Sequence, residues 1–205
     1  MNIIYLDDYH LINANILPQD PIVVKVGIVG WADMIKLKDL YPMARIIGYE
    51  PDPDNFANDI KAENPANKVY CKAVGIDGHF DLCRFTNSVS NSSFERHKYD
   101  PNCVLKDMIT VDSVSLETVI KENDLSRIDI LILNCEGGEL DIMPQLANDL
   151  LREKIGQICV SFHDPRIYLT QKRREILDMI GEFYHIVRGT NDIGGIPDNL
   201  LIRKV

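Results

Sequence analysis

The segment Ile22-Val-Val-Lys-Val-Gly27 is a short β-branched run that ends in glycine, as a buried strand does where it enters a tight turn. Residues 31–41 then carry apolar side chains at helical spacing, and this pattern stops at a proline. Two more strands are predicted at 45–49 and 68–74, with a helix over 56–63 between them. Strands that alternate with helices across short links form parallel sheets with right-handed crossovers. The segment therefore predicts an open three-layer α/β sheet.

The second half of the chain is expected to extend the same sheet. Residues 127–133, Arg-Ile-Asp-Ile-Leu-Ile-Leu, give the strongest buried-strand pattern in the sequence. The other elements predicted there are a helix at 116–122 capped by Ser115, a helix at 138–151, a strand at 155–162, a helix at 171–182 and closing strands at 183–188 and 199–203. Short strands at 80–86 and 107–111 flank a polar loop in the middle of the chain. No linker or repeat divides the sequence, so we expect one domain over 1–205.

The composition excludes several classes of protein. Asp and Glu number 31 against 22 Lys and Arg, a net charge of -9, which argues against a nucleic-acid partner because phosphate backbones need a basic track. No apolar run has the length of a membrane span, and Met1 to Asp8 is too acidic for a secretory signal. Five widely spaced cysteines do not form a disulfide or zinc pattern. We therefore expect a cytoplasmic protein without a metal centre.

The functional residues are expected where the strands end, because ligands of open α/β sheets bind outside the carboxyl ends of the strands. Gly27 and Gly30 follow the first strand and allow the backbone to approach a ligand closely. Glu50 follows the second strand, about twenty residues on, where a carboxylate can accept hydrogen bonds from both hydroxyls of a ribose. Together these positions predict a nucleoside pocket.

The charge of the first turn bears on which nucleoside ligand fits. The six-residue Gly-x-Gly-x-x-Gly pattern of dinucleotide sites is missing, and the following helix opens with Asp33. A carboxylate there would repel a diphosphate but would tolerate the sulfonium and ammonium groups of S-adenosylmethionine. The sequence thus favours this methyl donor over NAD.

Three blocks of sequence resemble the FkbM-type S-adenosylmethionine-dependent methyltransferases. They are Glu50-Pro-Asp-Pro-Asp-Asn-Phe56, Ala73-Val-Gly-Ile-Asp-Gly78 and Ile128-Asp-Ile-Leu-Ile-Leu-Asn-Cys-Glu-Gly-Gly-Glu139. The resemblance implies a Rossmann-like class I methyltransferase fold, with a seven-stranded, mostly parallel sheet in the order 3-2-1-4-5-7-6. It also implies O-methylation, with a hydroxyl of a sugar, glycan or other small molecule as the acceptor.

The donor site is expected to use the backbone and side chains at the strand ends. Adenine should lie against Ala73 and Val74, with Asp77 near its amino group. The residues predicted to bind the cofactor are Gly27, Gly30, Glu50, Pro51, Asp52, Ala73, Val74 and Asn134. The chain departs from the family pattern at Lys25, where an Asp is usual, at Ile28-Val29, where Ala-Asn is usual, and at Asn134, which replaces an Asp. These departures concern the methionine end of the donor.

The candidate catalytic residues are His163, Asp164 and Glu136. An imidazole near neutral pH can take a proton from a hydroxyl, and Asp164 or Glu136 could orient the ring of His163. These three side chains could also hold a divalent metal, but no spacing requires one. A second carboxylate, Glu139, follows Glu136 and could instead cap the next helix. Two alternatives remain open, namely a non-catalytic nucleoside-binding module with the same fold and an NAD-dependent oxidoreductase. The oligomeric state is not predicted.

Overall fold

The computed structural model describes residues 1–7, 10–28, 30–61, 64–86, 92–93, 104–162, 167–188 and 198–204. Its strands are β1 (Ile3–Tyr5), β2 (Leu11–Asn13), β3 (Ile22–Val26), β4 (Arg45–Tyr49), β5 (Lys68–Tyr70), β6 (Ala73–Val74), β7 (Gly78–Phe85), β8 (Ser92–Ser93), β9 (Leu105–Val114), β10 (Ile128–Leu133), β11 (Ile155–Ser161), β12 (Tyr184–Arg188) and β13 (Asp198–Arg203). Its α-helices are α1 (Ala32–Leu40), α2 (Pro53–Lys61), α3 (Leu116–Glu122), α4 (Glu139–Ile142), α5 (Asp149–Arg152) and α6 (Ile167–Gly181).

Seven strands form the central sheet in the order β12-β13-β11-β10-β3-β4-β5. Numbered along the chain within this sheet, and taken from the β5 edge, the order is 3-2-1-4-5-7-6. Strand β13 runs antiparallel to both of its neighbours, while the pairs from β11 to β5 are parallel. The predicted mixed α/β sheet is therefore present, and the carboxyl ends of β5, β4, β3 and β10 meet along one edge.

Two smaller sheets were not part of the sequence-based expectation. β1 and β2 form an antiparallel hairpin before the central sheet begins, and β6, β9, β7 and β8 form a four-stranded sheet. The strands predicted at 80–86 and 107–111 correspond to β7, which ends one residue earlier, and to β9, and these two strands pair with each other along most of their length. This pairing joins residues about thirty positions apart, and local sequence patterns carry no information on such long-range pairing.

The helix predicted over 138–151 is also interrupted. α4 gives way to a 3-10 turn at Met143–Ala147, which has Pro144 in its first positions, and α5 begins only after Asn148. Proline cannot supply the backbone donor that a continuous α-helix needs, and the side chain of Asn148 accepts a hydrogen bond from the Leu150 N–H at 3.0 Å. The segment therefore folds as three short turns.

Both faces of the central sheet are buried, and successive residues of β3 alternate between them. Val24 and Val26 lie in one apolar cluster, while Val23 lies in the other with residues of α1 and the β1–β2 hairpin. Because strand side chains alternate in direction, Lys25 points to the same face as Val23. Within the described ranges, no helix is long and apolar enough to cross a membrane.

Candidate functional site

A cleft lies between the carboxyl ends of the central strands and the four-stranded sheet of β6, β7, β8 and β9, which we call the second sheet. It is lined by Val26, Gly27, Glu50, Pro51, Asn55, Ala73, Val74, Gly75, Ile76, His79, Phe80, Leu82, Ser113, Asn134, Cys135, Glu136, Gly138 and Asp141. These residues lie at the ends of β3, β4 and β10, in α2 and α4, or in β6, β7, β9 and the segments beside them. The cleft thus occupies the edge at which ligands of open α/β sheets bind.

The turn after β3 requires glycine at position 27. Gly27 has a φ of +83°, and a Cβ placed there would lie 1.9 Å from the carbonyl oxygen of Asn134. The Gly27 N–H donates to the Tyr49 carbonyl at 2.9 Å, and the Asn134 N–H donates to the Val26 carbonyl at 3.1 Å. Three neighbouring strand ends are therefore in direct backbone contact at the floor of the cleft.

Glu50 connects the turns that follow β3 and β4. Its Oε2 accepts a hydrogen bond from the Ile28 N–H at 3.0 Å, and its Oε1 accepts one from the Asp52 N–H at 3.0 Å. The residue is buried yet lines the cleft. A carboxylate offers about four lone-pair positions, so these two backbone bonds do not by themselves exhaust its capacity as an acceptor.

The turn after β10 carries Glu136 in a strained backbone conformation. Its φ is +54°, in the left-handed region that residues other than glycine rarely adopt. The neighbouring Glu139 is fully buried, and its two carboxylate oxygens accept hydrogen bonds from the N–H groups of Cys135 at 2.8 Å and Gly137 at 2.9 Å. Glu139 thus supports the turn, whereas Glu136 lines the cleft.

The end of the cleft formed by β6 and β7, away from the turns after β3 and β10, is largely apolar. Ala73 and Val74 of β6 face it together with Ile76, Phe80 and Leu82. Asp77 does not line the cleft, and its carboxylate accepts hydrogen bonds from the N–H and the hydroxyl of Ser115, which hold the pKa of Asp77 below its usual range. The expectation that Asp77 meets an adenine amino group stays a prediction, and in this structure the partner of its carboxylate is Ser115.

Seven of the sequence-predicted site residues lie together in this cleft. They are Gly27, Glu50, Pro51, Ala73, Val74, Asn134 and Glu136. Gly30 and Asp52 do not line it. The positive φ of Gly30, +80°, serves the turn itself, and Asp52 caps α2 by accepting hydrogen bonds from the N–H groups of Asp54 and Asn55 at 2.8 and 3.0 Å. His163 and Asp164 lie outside the described residues.

Asp33 does not face the cleft, contrary to the electrostatic argument made from the sequence. Its carboxylate lies on the other side of the turn, where it accepts a 2.6 Å hydrogen bond from the Lys25 ammonium. Burial raises the pKa of Asp33, but the hydrogen bond with His10 and the positive charge of Lys25 outweigh burial and lower the pKa to about 2. The negative charge that faces the cleft comes instead from Glu50, Glu136 and Asp141.

Several cleft residues were missed at the sequence level. Cys135 lies between the predicted site residues Asn134 and Glu136, and Asn55 and Asp141 follow such residues within five positions, so this proximity could have pointed to all three. His79, Phe80 and Ser113 come from β7 and β9, and only the pairing of the second sheet brings them to the cleft.

Comparison with known proteins bears on what this cleft serves. Residues 22–189 match the family model described as the methyltransferase FkbM domain. The chain belongs to this family. The resemblance found in the sequence is thereby confirmed, and the family implies use of S-adenosylmethionine. Comparison with curated protein sequences gives no match.

Solved structures of methyltransferases are similar to this FkbM domain. A protein named as an rRNA-methylase from Clostridium thermocellum aligns with a TM-score of 0.50 and 13% identity, over 91% of this chain and 87% of that one. Precorrin-6y C5,15-methyltransferase from Geobacter metallireducens GS-15 aligns with a TM-score of 0.46 and 15% identity, over 93% of this chain and 83% of that one. At these identities the first similarity shows the fold of a class I methyltransferase and nothing about the acceptor.

Proposed function

We propose that the protein transfers the methyl group of S-adenosylmethionine to a hydroxyl of a sugar, a glycan or another small molecule. The observation that carries the proposal is the position of Glu50, a buried carboxylate that lines the cleft at the end of β4 and is fixed by two backbone hydrogen bonds. A carboxylate held in this way is preorganised to accept hydrogen bonds from the two hydroxyls of a ribose.

The order of the strands orients the donor along the cleft. Apolar residues after β5 suit an adenine ring, and Glu50 after β4 suits the ribose. Because β3 and β10 come next in the sheet, the methionine end would extend toward Gly27 and Asn134. Gly27 and Asn134 both line the cleft at this point, and the missing side chain of Gly27 lets the end of β10 lie directly against the turn.

The charge of the cleft suits this donor. Glu50, Glu136 and Asp141 are acidic, and no Lys or Arg of the described residues lines the cleft. Carboxylates attract the sulfonium and ammonium groups of S-adenosylmethionine and repel a diphosphate or a polyphosphate backbone. The same charge favours an uncharged, hydroxyl-bearing acceptor over nucleic acid.

The bound donor supplies an activated methyl group, so the protein has to hold the acceptor oxygen in line with it and exclude water. A sugar hydroxyl is a weak nucleophile, and a positioned base contributes roughly a hundred- to ten-thousand-fold to such a reaction. We assign this role to His163, oriented by Asp164 or Glu136, with Glu136 as the alternative base. The proposal includes a single domain over 1–205, action in the cytoplasm and no metal.

The test is calorimetric titration with S-adenosylhomocysteine. Replacement of Glu50 with Ala should weaken binding by about 2 kcal/mol, the scale of charge-assisted hydrogen bonds. A matched control is Asp54→Ala, which removes an exposed carboxylate from the same segment and should leave the affinity unchanged. Unchanged affinity in Glu50→Ala, or binding of NAD in place of S-adenosylhomocysteine, would refute the assignment. Turnover on a panel of sugars and glycans then separates an enzyme from a binding module.

A further inference from the structure

Four ionisable side chains meet in the interior beside the glycine turn, and we name them the buried charge cluster: Asp7, His10, Lys25 and Asp33. The Lys25 Nζ lies 2.6 Å from Asp33 Oδ2, and His10 Nδ1 lies 3.2 Å from the same oxygen and 2.8 Å from Asp7 Oδ2. His10, Lys25 and Asp33 are each at most 3% exposed. Burying this many charges is costly, so the arrangement calls for a physical explanation.

The cluster joins three parts of the chain around the turn that bears Gly27. Lys25 lies two residues before Gly27 on β3, and Asp33 lies three residues after Gly30 on α1. Their ion pair therefore spans the turn from one end to the other. Asp7 and His10 come from the turn of the β1–β2 hairpin, which precedes the residues matched by the family model.

The charges of the cluster balance only when His10 is protonated. Two carboxylates and one ammonium leave one negative charge in excess, and an imidazolium would cancel it. Burial lowers the pKa of His10, but the hydrogen bonds to Asp33 and Asp7 outweigh burial and raise the pKa above its ordinary value of 6.5. The charged groups around His10 are Asp7 on its own hairpin, Asp33 on α1 and Lys25 on β3.

The same histidine and carboxylates lie close enough together to hold a metal ion. However, the Lys25 ammonium is already in contact with Asp33, and it supplies the positive charge that a metal would bring. The cluster is therefore better explained as a set of fixed ion pairs than as a metal centre.

We propose that Lys25, Asp33 and His10 are positioning residues that hold the turn of Gly27 in the conformation needed by the methionine end of the donor, which makes the N-terminal hairpin part of the donor site. This inference rests on the proposed function. The cluster lies behind the turn and does not line the cleft, so it acts through the backbone of the turn.

The test compares two ligands that differ only in whether they carry the amino-acid end, S-adenosylhomocysteine and adenosine. The double variant Lys25→Met/Asp33→Asn removes both members of the ion pair and leaves no isolated buried charge. We expect its affinity for S-adenosylhomocysteine to fall at least fivefold, while its affinity for adenosine stays within twofold of wild type. The control is Arg127→Met/Asp129→Asn, which removes an ion pair near the opposite end of β3 and should change neither affinity.

A second variant keeps the test decisive if the double variant does not fold. In wild type the affinity for S-adenosylhomocysteine should fall as the pH rises above 6.5 and His10 loses its proton, and His10→Gln should remove this part of the pH dependence. Equal losses for both ligands, or unchanged affinity for S-adenosylhomocysteine together with a pH profile that His10→Gln does not alter, would overturn the inference alone. Wild-type protein that binds neither ligand would overturn the proposed function as well.

Discussion

The carbonyl oxygen of Asn134 occupies the position that a side chain at residue 27 would need. A Cβ on Gly27 would lie 1.9 Å from that oxygen, so the ends of β3 and β10 approach each other as closely as the two backbones allow. Asn134 also lines the cleft, and its backbone N–H is bonded to Val26. The site therefore requires glycine at position 27.

Substitution of Gly27 should be much more harmful than substitution of Gly30. Both have φ near +80°, but a Cβ at Gly30 would meet no atom within 4 Å. Gly30→Ala should therefore cost only the backbone strain, about 1–2 kcal/mol of unfolding free energy, whereas Gly27→Ala adds a backbone clash and should cost at least about 3 kcal/mol. Urea denaturation of both variants measures the difference. Equal losses of unfolding free energy would show that a clash with the Asn134 carbonyl does not contribute to the cost of Gly27→Ala.

Replacement of Glu136 with Gly should raise the stability of the protein and lower its activity. Because its φ is +54°, Glu136→Gly should relieve strain and raise the unfolding free energy by about 1 kcal/mol, while turnover falls at least tenfold through loss of the carboxylate. Asp124 has a similar φ of +51° and does not line the cleft, so Asp124→Gly is the matched control. It should give the same stabilisation at unchanged turnover. Full activity in Glu136→Gly would remove Glu136 from the mechanism.

The stability of the protein should fall toward alkaline pH through His10. Its folded-state pKa lies above the ordinary value of 6.5, so its contribution is complete below pH 6.5 and is lost as the pH rises through the folded value. Asp33 behaves in the opposite sense, since its pKa of about 2 gives stability above pH 3.8 that is lost as the pH falls toward 2. Chemical denaturation of wild type and His10→Gln from pH 6 to 9 checks this, and parallel curves would contradict it.

Asp52 should prove to be a structural residue. Removal of the cap in Asp52→Ala should lower the unfolding free energy by about 1 kcal/mol, while Asp52→Ser, which can still cap α2, should lose less. The affinity of both variants for S-adenosylhomocysteine should stay within twofold of wild type. A large loss of affinity in Asp52→Ser would restore Asp52 to the donor site.

The sequence sufficed for the parts of the site that follow from local pattern. The apolar strands and the residues directly after them predict that Gly27, Glu50, Ala73, Asn134 and Glu136 share one edge of the sheet, and all five line the cleft. Such residues are predictable because strand order and strand direction bring them together.

Local sequence patterns could not predict the positions of the other residues, because these depend on contacts between segments that are distant in the chain or on the direction of a side chain. The sequence predicts that Asp33 faces the ligand because Asp33 opens the helix after the glycine turn, and nothing local indicates that its side chain instead meets Lys25 behind the turn. His79 and Phe80 reach the cleft only through the long-range pairing of β7 with β9. Asp52, which the sequence predicts to bind the cofactor, caps α2 in the structure. A carboxylate before a helix can either cap the helix or bind a ligand, and the sequence does not distinguish these roles.

The hydrogen bond from the Ile28 N–H to Glu50 has a spectroscopic consequence. Hydroxyls that bind this carboxylate would draw on the same oxygen atoms, so the amide proton of Ile28 should respond in chemical shift and in its rate of exchange with solvent whenever the cleft is filled. Ile28 lies on the turn after β3, while Glu50 follows β4. One backbone amide therefore serves as a native reporter of occupancy that needs neither a label on the ligand nor a known acceptor.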